Sequence, residues 1–160
     1  NDSLSHMLYD NLKLIGAPSF TQDEENFARR LQAPLVAQFN REYPLAIDDR
    51  IHPVTKNPNP SKGSTDVGDI SWRVATSGIR TSCFVADSPG HSWQNVAAIG
   101  SSIGEKGIVF AAQSLALTAL ELYQRPELIV AARADWKQRM EGRKYFSFIP
   151  EGQPVPRKIR

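Results

Sequence analysis

The spacing of apolar residues predicts two helices at the start of the chain. Apolar side chains recur at helical spacing within residues 3–15, and the sequence GAP ends this helix. The TQDE that follows is a capping box, in which the Thr21 hydroxyl reaches the amide of Glu24 and the Glu24 carboxylate reaches back. A second helix begins there, and Pro34 is expected to break or kink it because proline has no amide hydrogen to donate.

The middle of the chain predicts a loop followed by two strands. Residues 51–63 contain three prolines, two asparagines and a glycine, which oppose regular pairing, so His52 is expected to be a solvated loop residue. DISWRV, residues 69–74, alternates weakly between apolar and polar side chains. TSCFVA, residues 81–86, is an apolar run typical of a strand buried on both faces, where Cys83 would be a small buried hydrophobe.

Two further helices and an extended tail complete the pattern. A helix is predicted to begin near Ser101 and to cover residues 103–124; it is apolar around most of its circumference, so it should be a central packing element. RPEL begins another helix, since Pro126 suits a first helical turn. The proline-containing tail, residues 143–160, is expected to be extended and to lie over the surface.

This order of elements predicts an α/β fold with few strands for its length. A complete doubly wound domain would alternate strands and helices more regularly. Two or three strands also make a poor sheet unless others join them. We therefore expect residues 1–160 to form part of a single domain whose sheet is incomplete in this chain.

Composition is that of a soluble globular chain. The 160 residues are 41% hydrophobic and 22% charged, with a net charge of +2, and the short basic end, residues 156–160, is more typical of a solvated terminus than of a nucleic-acid arm. The sequence contains no run of about 18 apolar residues, so no membrane-spanning helix is predicted. The start lacks a signal-peptide pattern and an initiator Met, so the chain is expected to derive from something longer. The single cysteine fits a reducing, cytoplasmic location.

Two segments resemble common functional motifs, a phosphate-binding loop and a nucleophile elbow, but neither matches its pattern. GSSIGEKG, residues 100–107, fits neither the Walker nor the dinucleotide-binding pattern, and favours a glycine-eased helix start. Ser92 in GHSWQ resembles a nucleophile elbow, but Gln94 replaces its second glycine. The histidine nearest the N-terminus, His6, lies in the first predicted helix, so a serine hydrolase is not indicated.

The sequence GSTDVGD crowds polar side chains between the predicted loop and the first predicted strand. Asp66 and Asp69 stand three residues apart, and Ser64 and Thr65 precede them. Such residues often serve as caps and turns. They also suit the polar wall of an active site at a junction between strand and loop. The residues alone leave both interpretations open.

His91 is the strongest single candidate for a metal ligand in the sequence. In SPGHSWQ it follows the predicted strand at 81–86 and precedes a helix, where α/β folds place their sites. A neutral imidazole in a tight turn is a good zinc or manganese ligand. Catalytic zinc usually needs three protein ligands, however, and no second ligand motif accompanies this histidine. The residues therefore leave open whether His91 is a metal ligand or only a turn residue.

Several separated segments, taken together, resemble one enzyme family. GSTDVGDISW, PGHSWQ and SIGEKGIVFAAQSLALTALEL resemble the C-terminal part of the M20 family of metallopeptidases and amidohydrolases, and within it the aminobenzoyl-glutamate utilization branch. LIGAPSFTQDEENFARRLQ and PVPRK also fit that branch, so the resemblance covers nearly all of the chain. One departure is local: Glu105 stands where a typical member of the branch carries a histidine.

The resemblance implies a parent protein more than twice as long as this chain. Its catalytic domain is interrupted by a lid domain that mediates dimerisation, and it binds two divalent metal ions, zinc or manganese, that activate a bridging water for amide hydrolysis. Most ligands and the general base precede the lid. This chain would then be the post-lid portion of an M20-type, zinc-peptidase-like catalytic domain. It would contribute His91 as one metal ligand and no catalytic residue.

The resemblance also assigns substrate contacts and partners. Ser64, Thr65 and Asp66 match a polar strip lining the family's site, Asp69 lies just beyond it, and Ser92 adjoins the histidine; all five are expected to bind substrate. The partners implied are a small amide such as p-aminobenzoyl-glutamate and the missing N-terminal half or a companion subunit, with a homo- or heterodimer formed through the lid. No nucleic acid or membrane is implied. The alternative is a non-enzymatic α/β module that acts by assembling with a partner.

Overall fold

The predicted α/β architecture is wrong. The computed structural model describes residues 1–55 and 65–154, and within those ranges it contains helices and no strand. The helices are Asp2–Ile15 (α1), Gln22–Phe39 (α2), Val67–Ser71 (α3), Trp93–Ile99 (α4), Ser102–Gln124 (α5) and Pro126–Met140 (α6). None of the helices in the described ranges is long and apolar enough to cross a membrane.

Both predicted strands take other conformations. In the first, residues 69–71 belong to α3, because the carbonyl of Asp66 accepts hydrogen bonds from the amides of Asp69 (3.1 Å) and Ile70 (3.4 Å) and closes a helical turn. The second, residues 81–86, is not paired into a ladder; its backbone bond to a distant segment is that from the Ala86 amide to the Ala46 carbonyl, at 2.9 Å. A strand requires a neighbour that continues such bonding, and the described residues do not supply one.

The burial predicted for the second of these segments is also incorrect. Val85 is buried, but Phe84 is exposed and Cys83 is only half-buried. α5 packs against this segment through Gly107, where an added Cβ would lie 2.5 Å from the Cys83 sulfur and 2.7 Å from the Ser82 carbonyl oxygen. Only a glycine permits this close approach of the helix to the extended chain.

The predicted helix signals are largely confirmed. The capping box before α2 is present: the Thr21 hydroxyl accepts from the Glu24 amide at 3.3 Å, and the Glu24 carboxylate accepts from the Thr21 amide at 2.7 Å. Pro126 begins α6. Pro34, by contrast, does not end α2, which continues to Phe39. Proline still removes one helical hydrogen bond there, and the neighbouring Leu35 is buried.

α5 is the central packing element, as predicted, and contacts α1, α4 and α6. Its contact with α1 includes a buried polar group, since the Asn11 amide donates to the Thr118 hydroxyl at 3.0 Å and to the Glu121 carboxylate at 3.2 Å. A buried amide without such partners would be costly, so these bonds fix the alignment of the two helices.

The main apolar core joins α2, α4 and α5 to two extended segments, one that contains Ala46 and Ile47 and the other at residues 81–86. Its buried members are Ala28, Leu31, Ala46, Ile47, Val85, Ala98 and Ile103. Gln32 ties the same elements together, because its buried side-chain amide donates to the carbonyls of Leu45 (2.7 Å) and Ala86 (3.1 Å). The extended segments are thus held by side chains of α2 rather than by a sheet.

An ion pair also connects α2 to α5. Glu24 is only 9% exposed, and its carboxylate accepts hydrogen bonds from the Lys106 ammonium and the Ser102 hydroxyl, both at 2.6 Å, as well as from the Thr21 amide. Burial raises the pKa of Glu24, but the bonds from Lys106, Ser102 and Thr21 outweigh burial and lower the pKa from 4.5 to about 2.

The predicted loop and tail are described only in part. Residues 51–55 and 143–154 contain neither helix nor strand, in agreement with the sequence prediction. His52 is exposed, as predicted, and its ring nitrogen lies 3.0 Å from the Asp48 carboxylate. The rest of the loop and the basic end at 156–160 lie outside the described residues.

Candidate functional site

The turn that carries His91 is held at both ends by its own side chains. The Ser92 hydroxyl caps α4 by accepting from the Asn95 amide at 3.4 Å. The Asn95 side chain donates back to the Pro89 carbonyl at 3.0 Å, and the Ser88 hydroxyl donates to the Val85 carbonyl at 2.8 Å. These local bonds make a Pro-Gly turn that joins the extended segment to the helix in one geometry.

His91 lies at the tip of this turn with an exposed side chain. Its φ of +56° is in the left-handed region, which is uncommon for residues other than glycine but is adopted more often by asparagine, aspartate and histidine. The residue borders an open cavity of about 660 Å³ whose apolar walls include Phe84, Trp93, Val96 and Ile99. The imidazole is therefore presented beside an apolar hollow rather than packed into the core.

The described residues do not form a complete metal centre. Across residues 1–55 and 65–154, no group of three or more His, Cys, Asp or Glu side chains is placed to hold a metal ion. A catalytic zinc usually takes three protein ligands and paired metals take more, so His91 can supply at most one ligand here. Zinc or manganese binding therefore stays a prediction, and its remaining ligands would have to come from elsewhere.

The structure does not bring the predicted polar strip to His91. Thr65, Asp66 and Asp69 are exposed around α3, and none of them borders the cavity beside His91, whereas Ser92 does. The Thr65 hydroxyl accepts from the Val67 amide at 3.4 Å, a turn-type bond. Ser64 lies outside the described residues.

α3, which carries part of that strip, is attached to α6. The indole nitrogen of Trp136 in α6 donates to the Ser71 carbonyl at 2.9 Å. This bond places the strip near α6, whereas the histidine turn precedes α4. The described residues therefore do not place the strip and His91 around one cavity.

A polar cluster without a recognisable sequence motif borders a second cavity, of about 540 Å³. The Asp48 carboxylate accepts from the Arg50 guanidinium at 2.7 and 2.8 Å and lies 3.0 Å from the His52 ring nitrogen. The bonds from Arg50, opposed by burial and assisted by His52, hold the pKa of Asp48 well below its usual range. Arg50, His52 and Arg80 line this cavity together with Asp49, so its rim is polar and carries charges of both signs.

The backbone conformation of His91 gives a stability prediction. His91→Val should lower the free energy of unfolding by about 1–2 kcal/mol, because a β-branched side chain is strained at positive φ. His91→Asn should change it by less than about 0.5 kcal/mol, since asparagine tolerates this conformation. Urea denaturation of both variants tests this, and equal stability of the two would contradict the left-handed geometry.

Comparison with known proteins gives a specific likeness. No family model matches the chain, and no solved structure matches it. One subunit of the p-aminobenzoyl-glutamate hydrolase of Escherichia coli (strain K12) is 28% identical to it over 181 aligned positions, which cover 99% of this chain and 37% of that protein. The chain resembles a hydrolase subunit. The resemblance predicted from the sequence is thereby confirmed, and the chain spans about 37% of the length of the curated relative it matches.

Proposed function

We propose that the chain is part of a metal-dependent amidohydrolase that cleaves an acyl-amino-acid amide such as p-aminobenzoyl-glutamate. The observation that carries the proposal is the likeness to a p-aminobenzoyl-glutamate hydrolase subunit along 99% of the chain. The exposed imidazole of His91 beside an open cavity supports it, because a metal ligand has to reach an accessible site.

We propose a site for two divalent ions, zinc or manganese, in which His91 is a ligand of one ion. When bound, such ions polarise an amide carbonyl and lower the pKa of a bound water toward neutrality. The other ligands and the general base would come from a companion segment, defined here as polypeptide corresponding to the part of the relative outside its aligned 37%. The isolated chain is accordingly expected to hydrolyse nothing.

The remaining predicted site residues are proposed to contact substrate in the assembled enzyme. Ser92 already borders the cavity beside His91. Thr65, Asp66 and Asp69 are exposed around α3, so a companion segment can enclose them without breaking core contacts. Ser64 is proposed with them on sequence grounds alone.

The test is hydrolysis of p-aminobenzoyl-glutamate by this chain coexpressed with the companion segment of the E. coli relative, at saturating zinc or manganese. His91→Ala should lower kcat/KM about 100-fold, equivalent to about 2.7 kcal/mol of transition-state stabilisation, with an unchanged circular dichroism spectrum. Chelation of the metal should abolish activity.

His6→Ala is the matched control, because His6 is an exposed histidine on α1 whose ring lies 2.9 Å from the Asp2 carbonyl. It should retain activity within about twofold, a change worth less than about 0.5 kcal/mol. Near-normal turnover of His91→Ala at saturating metal would refute the proposed ligand role.

A non-enzymatic subunit is the second candidate. It is favoured by one observation, namely that the described residues hold no cluster able to bind a metal. This alternative predicts that the chain associates with the companion segment but that the complex shows no metal-dependent hydrolysis. The same assay therefore separates the two functions.

A further inference from the structure

α5 has an unusual distribution of polarity, because its buried face is partly polar and its exposed face is apolar. Its core-facing side is largely small or polar; the buried residues are Ile103, Gly104, Gly107, Phe110, Ser114 and Thr118. Its opposite side is exposed and apolar; this outer face of α5 consists of Ile108, Val109, Ala112, Leu115, Ala116, Ala119 and Leu120. A surface helix normally turns its apolar stripe inward and its polar residues to water.

The outer face of α5 carries no charge. From Gly107 to Leu120 the sequence GIVFAAQSLALTAL contains no Asp, Glu, Lys or Arg. Ile108 and Leu115 are 53% and 51% exposed. Exposed contiguous apolar surface of this kind marks an interaction site. Any surface that covers it has to be apolar as well, because a buried unpaired charge would oppose association.

The outer face also has a definite shape. On a helical projection, Ala112, Ala116 and Ala119 form a shallow floor between two ridges. Ile108 and Leu115 form one ridge, and Val109 with Leu120 forms the other. From Ile108 to Leu120 this groove is about 18 Å long at about 1.5 Å per residue, enough to seat an apolar layer of another folded segment.

We propose that the outer face of α5 is the docking surface for the companion segment. The inference rests on the proposed function and names the surface through which its two parts assemble. α1, α4 and α6 contact α5, and within residues 1–55 and 65–154 no helix covers the face opposite its buried residues. The relative, meanwhile, contains polypeptide beyond the 37% that this chain matches. An uncharged apolar groove on the central helix offers such a segment a continuous apolar surface to bury.

The experiment is capture of this chain by the affinity-tagged companion segment of the E. coli relative, after coexpression of the two. The unchanged chain should be captured at near equal stoichiometry. Leu115→Asp and Ala116→Asp should each reduce capture at least tenfold, because they place a carboxylate on a ridge and on the floor of the groove. Leu14→Asp is the matched control: Leu14 is 76% exposed and belongs to α1, not to the outer face of α5, so capture should be unchanged.

Two further measurements keep the outcomes distinct. His91→Ala should be captured normally although its complex has about 100-fold lower kcat/KM. Capture of an unchanged chain that then hydrolyses nothing would contradict the proposed function and leave the docking surface intact. Equal capture of Leu115→Asp, or no capture of the unchanged chain, overturns the docking proposal. So does light scattering that shows a homodimer abolished by Leu115→Asp but not by Leu14→Asp, since a second copy would then occupy the groove.

Discussion

Replacing Gly104 with alanine is expected to lower the free energy of unfolding by about 3 kcal/mol or more. A Cβ at this position would lie 2.5 Å from the Ile99 Cα and 2.6 Å from its carbonyl carbon, and would overlap its carbonyl oxygen. These are backbone atoms of α4, so they cannot rotate aside as a side chain can. α5 would have to shift, and the fully buried Ile103 would shift with it.

Gly68→Ala is the control for that variant. Gly68 is also helical, in α3, but nothing lies within 4 Å of an added Cβ. Alanine has the higher helix propensity, so this substitution should stabilise the chain by up to about 1 kcal/mol. Urea denaturation of both variants measures the difference. Equal effects of the two substitutions would show that α4 and α5 are not packed as closely as the structure indicates.

Acid is expected to destabilise the chain through Glu24. The folded-state pKa of Glu24 is about 2, against an ordinary value of 4.5. A depressed carboxyl pKa contributes its full stability above the unfolded value and loses it as pH falls toward the folded value. The contribution of Glu24 should therefore be complete above pH 4.5 and be lost progressively between pH 4.5 and 2, amounting to about 3 kcal/mol.

Glu24→Gln isolates this contribution. The variant should be less stable than the unchanged chain at about pH 7, and its free energy of unfolding should fall less steeply between about pH 5 and 2, because the titrating group is gone. Asp23→Asn is the matched control, since Asp23 is an exposed acidic residue in the same helical turn. It should keep the full acid-dependent loss. A Glu24→Gln variant with the same pH slope as the unchanged chain would contradict the buried pair with Lys106.

The helices were predictable because their signals are local. A capping box at Thr21 and a proline at position 126 act within one turn of chain, and both operate as expected. The strand at 81–86 failed for the opposite reason. Its residue types suit a sheet, but a strand forms only if another segment continues its hydrogen-bond ladder. Among the described residues, the backbone bond to a distant segment is the one that the Ala86 amide donates to the Ala46 carbonyl.

The site was predictable to a similar, limited extent. The sequence SPGHSWQ indicated a turn before a helix, and the structure places His91 there with an exposed ring. The separation of Asp66 and Asp69 from that turn depends on the packing of α3 against α6, which no local pattern encodes. The cluster of Asp48, Arg50 and His52 did carry a local signal: alternate residues of an extended segment point to the same side.

The contact between Gly107 and the Cys83 sulfur makes the chain's single thiol a reporter. Cys83 is half-buried and its sulfur lies close to the backbone of Gly107, so separation of α5 from residues 81–86 would expose the thiol further. A rise in the rate of thiol alkylation would therefore report opening of this interface. Closure of the groove on the other side of α5 by a bound polypeptide would slow that labelling without touching the cysteine.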